Sequence, residues 1–116
     1  NNVDILSAGD KGISIGEKSK ARITNSTISN SNIGIASKDS SVINADNLVL
    51  NKNNIALTAY QKKSEYTGGM ITISKSVLED NQTQYLIETG SSIISDNIKG
   101  VTRMRNVYKY LEGEEK

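Results

Sequence analysis

The sequence contains no Cys, His, Pro, Trp or Phe. Without Cys the chain can form no disulfide, and without Cys and His it lacks the ligands that hold most protein-bound zinc. The same two absences exclude a Ser-His-Asp triad and a Cys-His pair. The commonest forms of nucleophilic and zinc chemistry are therefore removed from the functions to be considered.

Charge of one sign is not in excess either, because 14 Lys and Arg residues balance 13 Asp and Glu residues to a net charge of +1. A near-neutral chain without a basic stripe is not expected to bind nucleic acid. No apolar run approaches the roughly 20 residues of a membrane-spanning helix. The carboxylates are scattered and no phosphate-binding loop is present, so neither a metal nor a cofactor is expected.

The 116 residues suffice for one modest domain, and their apolar residues have an unusual spacing. Ile23, Ile28 and Ile33 stand five residues apart, with mostly Ser, Thr and Asn between them. An amphipathic helix needs spacings of three and four, and a strand needs alternation, so the pattern fits neither. A chain that turns a corner every few residues, with one or two Ile inward on each short side, explains it.

Three series of apolar residues repeat at steps of about 20 to 30 residues, as in a solenoid. The first series is Ile13/Ile15, Ile33/Ile35, Ile55/Leu57 and Tyr85/Ile87. The second series is Ala21/Ile23, Ile43/Ala45, Ile71/Ile73 and Ile93/Ser95. The third series is Ile28, Leu50, Leu78 and Ile98. The pattern predicts an all-β fold, a short right-handed parallel β-helix of about four three-sided coils over residues 1–100.

Inward side chains and corner side chains follow from this repeat. The predicted inward residues are Ile13, Ile15, Ile23, Ile28, Ile33, Ile35, Ile43, Leu50, Ile55, Leu57, Ile71, Ile73, Leu78 and Ile87. Asn and Ser suit the corners, where stacked amides can bond from one coil to the next. The predicted ladder consists of Ser31, Asn53 and Asn81, with Asn32, Asn54 and Gln82 beside them.

Both ends of the chain carry a prediction. The chain opens without Met, so we expect a piece of a longer protein whose exposed first strand favours weak end-to-end self-association. Residues 101–116 are predicted to be a C-terminal cap with a polar tail. A helix over about 102–112, with Thr102 as N-cap, would place Met104 and Leu111 against the last coil. A further strand or a frayed tail is the alternative.

The phrases "GISIGEKS", "SNIGIASKDSS" and "AYQKKSEYTGG" resemble right-handed parallel β-helix proteins of the pectate-lyase-like superfamily over roughly residues 3–98. More narrowly, they resemble C-terminal β-helix regions of larger bacterial surface or polysaccharide-associated proteins. The resemblance implies an extracellular or cell-surface location. It leaves function open, because the superfamily includes lyases, hydrolases, epimerases, adhesins and inert spacers.

One corner, between the first and second series, collects charged residues, Glu88 among them, and lengthens from coil to coil, as binding faces of solenoids often do. Two Tyr residues in its longest loop offer rings suited to sugars or to a protein partner. The candidate binding residues are Lys18, Lys38, Asp39, Tyr60, Lys62, Lys63, Glu65 and Tyr66. The alternative is a solvated corner whose charges only keep the coils soluble.

The function predicted from these observations is a non-catalytic scaffold or binding module that contacts polysaccharide or another domain of its parent protein. The alternative is a fragment of a polysaccharide lyase or epimerase acting on uronate polymers. In that case Arg22 would be the base, since it projects outward between Ala21 and Ile23. The matching positions in the next coils are Asn44 and Thr72, which supply no acid beside it.

Overall fold

The computed structural model describes residues 4–96, 98 and 100–112. Most of this part is β-structure, in keeping with its many β-branched residues. Its strands and helix are β1 (Asp4–Ile15), β2 (Lys20–Lys38), β3 (Val42–Asn51), β4 (Ile55–Tyr60), β5 (Met70–Ser74), β6 (Val77–Glu79), β7 (Thr83–Glu88), β8 (Ser92–Ser95), β9 (Val101–Met104) and α1 (Val107–Glu112).

The strands pair in parallel and form one curled sheet in the order β8-β5-β3-β2-β4-β7-β9, with β1 beside β2 and β6 beside β3. The pairings fall into three series. The first joins residues 11–15, 33–38, 55–60, 83–88 and 101–104; the second joins 20–24, 42–46, 70–74 and 92–95; the third joins 4–6, 26–29, 48–51 and 77–79. The all-β class is confirmed, and the curled parallel sheet is compatible with the predicted solenoid.

The predicted alignment of the third series is confirmed for its first three members. Ile28 pairs with Leu50, and Leu50 pairs with Leu78. The fourth predicted member, Ile98, lies outside the strands and is 40% exposed. The third series extends in the other direction instead, because Ile5 pairs with Ile28.

The predicted alignment of the first series is wrong by two residues at both ends. Ile13 pairs with Ile35 rather than with Ile33. The same slip recurs between β4 and β7, where Tyr85 pairs with Leu57. The prediction placed Ile33 and Ile35 on one face because strand side chains alternate with a period of two, whereas only Ile35 faces the same interior as Ile13.

Two apolar clusters hold the fold together. The interior core consists of Ile23, Ile28, Ile35, Ile43, Ala45, Leu48, Leu50, Ala56, Leu57, Ala59, Ile71, Ile73, Tyr85, Ile87 and Ile93, with Ile13, Ile15 and Leu78 packed against it. The outer cluster consists of Ile33, Ala36, Ile55, Tyr60, Leu86 and Val107, with Met104, Tyr108 and Leu111 packed against it. Most predicted inward residues are therefore in the interior core.

Ile33 and Ile55 were predicted to point inward, but both are buried in the outer cluster. The reason lies in the residue that follows each of them. A Cβ on Gly34 would stand 2.9 Å from Leu50 Cδ2, so position 34 faces the interior. Ala56 likewise belongs to the interior core. Each Ile faces away from the interior residue that follows it. The alternation then breaks, since Gly34 and Ile35, and likewise Ala56 and Leu57, both face the interior.

The predicted amide ladder is confirmed. Asn53 Oδ1 accepts the backbone N–H of Ser31 at 3.0 Å, and Asn81 Oδ1 accepts the backbone N–H of Asn53 at 3.0 Å. A second, exposed bond runs beside it, from Asn54 Nδ2 to Asn32 Oδ1 at 3.0 Å. Asn53 itself is buried, so the ladder satisfies backbone groups that water cannot reach.

The C-terminal segment contains both the predicted helix, in a shorter form, and its alternative, a further strand. Val101–Met104 is a strand that pairs with β7, and the helix begins only at Val107. Asn106 rather than Thr102 is the N-cap, because Asn106 Oδ1 accepts the N–H of Lys109 at 2.9 Å. The helix packs on the outer cluster rather than over the end that it was predicted to cover. No helix in the described ranges is long and apolar enough to cross a membrane.

Candidate functional site

The corner between the first and second series, here called the lysine corner, comprises residues 16–19, 38–41, 61–69 and 88–91, and so includes the last residues of β2 and β7. Its longest loop joins β4 to β5 and contains four of the predicted binding residues, namely Lys62, Lys63, Glu65 and Tyr66. The loop is held to the preceding corner by Ser40, whose hydroxyl lies 2.8 Å from the Thr67 hydroxyl and accepts the Thr67 N–H. These bonds connect the loop to the chain segment 39–41 of the preceding repeat.

Asp39 is the anchor of this loop. Its side chain is fully buried, and its Oδ1 accepts the N–H groups of Lys62 at 2.8 Å and Lys63 at 2.9 Å. Its Oδ2 has no hydrogen-bond partner among the described residues. The carboxylate that was expected at a binding surface instead orients the start of the loop from beneath.

The Lys residues of the corner stand in different surroundings. Lys63 forms an ion pair with Glu17, and this contact raises the pKa of Lys63. Burial and the like charge of Lys62 lower the pKa of the half-buried Lys38. Lys18 is exposed and adopts a left-handed backbone at φ 64°. The corner is thus positive where Lys38 and Lys62 approach each other and neutralised at Lys63.

The two predicted Tyr residues do not form a shared surface. Tyr60 is only 2% exposed and belongs to the outer cluster, so its ring is not available to a ligand. Tyr66 is half-buried, and its carbonyl accepts the side-chain amide of Gln61. Glu65 is exposed at the tip of the loop. The structure therefore brings the charged residues together, but Tyr60 is not part of their surface.

Glu88 joins the corner to the C-terminal helix. Its carboxylate is 6% exposed and accepts two backbone N–H groups, from Gln61 at 2.9 Å and from Val107 at 2.8 Å. Its position in the corner was visible in the sequence. Its bond to α1 was not, because the predicted helix lay over the last coil.

A groove runs between the loop and α1, with a volume of about 230 Å³, and is here called the loop–helix groove. It is lined by Gln61, Lys62, Ser64, Glu88, Arg105, Asn106 and Tyr108. Lys62 Nζ lies 5.5 Å from the centroid of the Tyr108 ring, within the range of a cation–π contact. Sequence reasoning missed Arg105 and Tyr108, since only the packing of α1 brings them to the corner.

Arg22 lies on a different surface, the outward face of the second series. It pairs in register with Asn44, and Asn44 with Thr72, as predicted. These side chains line a shallow groove together with Asp46 and Ser74, whose hydroxyl donates to Asp46 Oδ1 at 2.8 Å. Within the described residues, no three Asp or Glu side chains lie close enough to hold a metal ion.

Comparison with known proteins adds no relative: no family model matches this chain, and neither does any curated protein or solved structure. The superfamily resemblance therefore rests on the sequence pattern and on the curled parallel sheet that is compatible with it.

Proposed function

We propose that this chain is a right-handed parallel β-helix of about four coils that acts as a non-catalytic scaffold or binding module. We place it in a larger bacterial surface or secreted protein, where it contacts polysaccharide or another domain. The three series of parallel pairings support the coil architecture, because each series stacks corresponding segments of successive repeats. The right hand follows the general preference of crossovers between parallel strands.

The observation that carries the proposal is how the two buried carboxylates of the corner are used. Asp39 accepts two backbone N–H groups of the loop, and Glu88 accepts one from the loop and one from α1. Charge-assisted bonds of this kind are short and directional, and they fix backbone geometry. A carboxylate committed to backbone donors supports a scaffold better than it supports acid–base chemistry.

The lyase alternative is favoured by one observation, the placement of Arg22 in the polar groove of the second series. A base there would need a second group to acidify the proton that it removes. Asn44 and Thr72 occupy the neighbouring positions, and Asp46, the carboxylate of this groove, accepts a hydrogen bond from Ser74. This alternative is weaker because the groove offers no second group that would acidify the proton for Arg22 to remove.

The test is to incubate the protein with a panel of uronate polymers, with and without Ca²⁺, and to follow the ultraviolet absorbance of the unsaturated product. Sedimentation with insoluble polysaccharides, run in parallel, measures binding. We expect no turnover, with or without binding, because a scaffold requires neither catalysis nor affinity for these polymers. Calcium-dependent turnover that is lost in Arg22→Gln and kept in Lys52→Gln would reject the scaffold in favour of the lyase.

A further inference from the structure

We propose that the loop–helix groove is a docking site for an acidic peptide segment of a partner protein or neighbouring domain. The inference rests on the proposed function as a scaffold module and specifies the chemistry of one contact that the module makes. It is carried by the rigidity of the groove walls, by the charges on its rim and by the covered face of its single aromatic ring.

Both walls of the groove are fixed by hydrogen bonds. Glu88 binds the Gln61 N–H of one wall and the Val107 N–H of the other, at 2.9 and 2.8 Å. Asp39 holds the backbone of Lys62 from below, at 2.8 Å. A groove that exists before binding loses less entropy when a partner is ordered in it.

The rim of the groove is positive. Lys62 and Arg105 are both exposed and line the groove, and neither forms an ion pair with a carboxylate of the described residues. Lys63, by contrast, is neutralised by Glu17 on the far side of the loop. The Glu88 carboxylate on the floor already accepts two N–H groups. The two cations therefore favour a ligand with carboxylates, which Arg can bind through two parallel hydrogen bonds.

The aromatic ring decides between a peptide and a sugar. Sugars stack on an open aromatic face, but Lys62 Nζ already stands over the Tyr108 ring at 5.5 Å. With a volume of about 230 Å³ the groove is also smaller than typical pockets for small ligands, of about 300–1,000 Å³. It fits one or two acidic side chains, and Ser64 and Gln61 add polar lining beside the two cations.

The test is a titration of the isotopically labelled protein with a capped peptide of alternating Asp and Glu, followed by NMR. The control ligands are the same peptide with Asn and Gln, and a soluble polyuronate. We expect shifts of the Gln61, Lys62, Arg105 and Tyr108 amides with the acidic peptide, weaker at high salt because exposed charges are screened. The double variant Lys62→Gln/Arg105→Gln should raise Kd at least about tenfold.

The matched control is Lys52→Gln/Lys75→Gln, which removes two exposed Lys residues outside the groove and should change Kd less than about twofold. Equal loss of affinity in both double variants would show non-specific charge attraction and overturn the proposal. It would also be overturned by no binding, or by polyuronate binding that depends on Lys62 and Arg105. None of these results bears on the scaffold function, which would be rejected by turnover of a uronate polymer.

Discussion

Asn53 Oδ1 accepts the backbone N–H of Ser31 at 3.0 Å, although the two residues are 22 positions apart. The Asn53 Nδ2 in turn donates to the Ile28 carbonyl at 3.1 Å and to Asn81 Oδ1 at 3.1 Å. One amide thus joins three successive repeats at the same corner. Since Asn53 is only 2% exposed, water cannot replace these bonds.

Replacing Asn53 by Ala is expected to lower the free energy of unfolding by about 1–3 kcal/mol, because it leaves the Ser31 N–H buried without its side-chain acceptor. Urea denaturation followed by circular dichroism measures the change. The matched control is Asn54→Ala, which removes one exposed bond to Asn32 and should cost less than about 1 kcal/mol. Equal losses for the two variants would contradict a structural role of the ladder.

Ile35→Ala is expected to cost about 2–5 kcal/mol, since Ile35 is fully buried in the interior core and its truncation leaves a cavity. Ile94→Ala removes the same atoms at a site that is 55% exposed and should change stability by no more than about 0.5 kcal/mol. Chemical denaturation of both variants gives the comparison. A larger effect at Ile94 would mean that the assignment of faces is inverted.

Glu88→Gln is expected to loosen α1 and the start of the loop together. A Gln side chain has one acceptor oxygen, whereas the Glu88 carboxylate accepts the N–H groups of both Gln61 and Val107. The loss should be about 1–3 kcal/mol, with faster hydrogen exchange at the two amides. Glu65→Gln, at an exposed position, is the control and should leave both exchange rates unchanged. Unchanged exchange in Glu88→Gln would refute the link.

Lys38→Met is expected to stabilise the protein at neutral pH and to change its response to alkali. Burial, followed by the like charge of Lys62, lowers the pKa of Lys38 in the folded state below its ordinary value of 10.5. Between these two pKa values the unfolded chain binds more protons, so stability of the natural protein should rise with pH in that window.

Lys38→Met lacks this group, so its stability should not show the same alkaline rise. Denaturation at a series of pH values from neutral to about the ordinary pKa of Lys tests the difference. Lys20→Met, at an exposed position, serves as the control and should follow the natural protein. If Lys38→Met and the natural protein show parallel pH profiles, the proposed environment of Lys38 is wrong.

The repeat itself could be predicted from the sequence because its main signals are local. β-branched residues at alternating positions identified the strands. The ladder was identified because Ser31, Asn53 and Asn81 each lie three residues after an apolar residue of the third series. Lys18, Asp39 and Glu88 were placed in the correct corner for the same reason, since each lies at or just after the end of a strand of the first series. The corners themselves use left-handed residues, which Asn tolerates well at Asn25, with φ 51°.

The candidate site could be predicted only in part. The charged residues were expected to point to solvent, yet Asp39 is buried beneath the loop and Tyr60 lies in the outer cluster. Burial of a polar or aromatic side chain at a corner depends on what covers it, and the cover here is a loop and a helix from elsewhere in the chain. The sequence alone contains no signal for that contact.

Local pattern alone thus determined the strands, the parallel series, most of the interior core and the amide ladder of this protein. The tertiary structure decided the exact pairing of Ile13 with Ile35, because the alternation of faces breaks between Ile33 and Ile35, which the apolar pattern places on one side. It also decided the place of α1, a helix of six residues that is too short to be stable without packing. The outer cluster supplies that packing, and with it the structure brings Arg105 and Tyr108 to the loop.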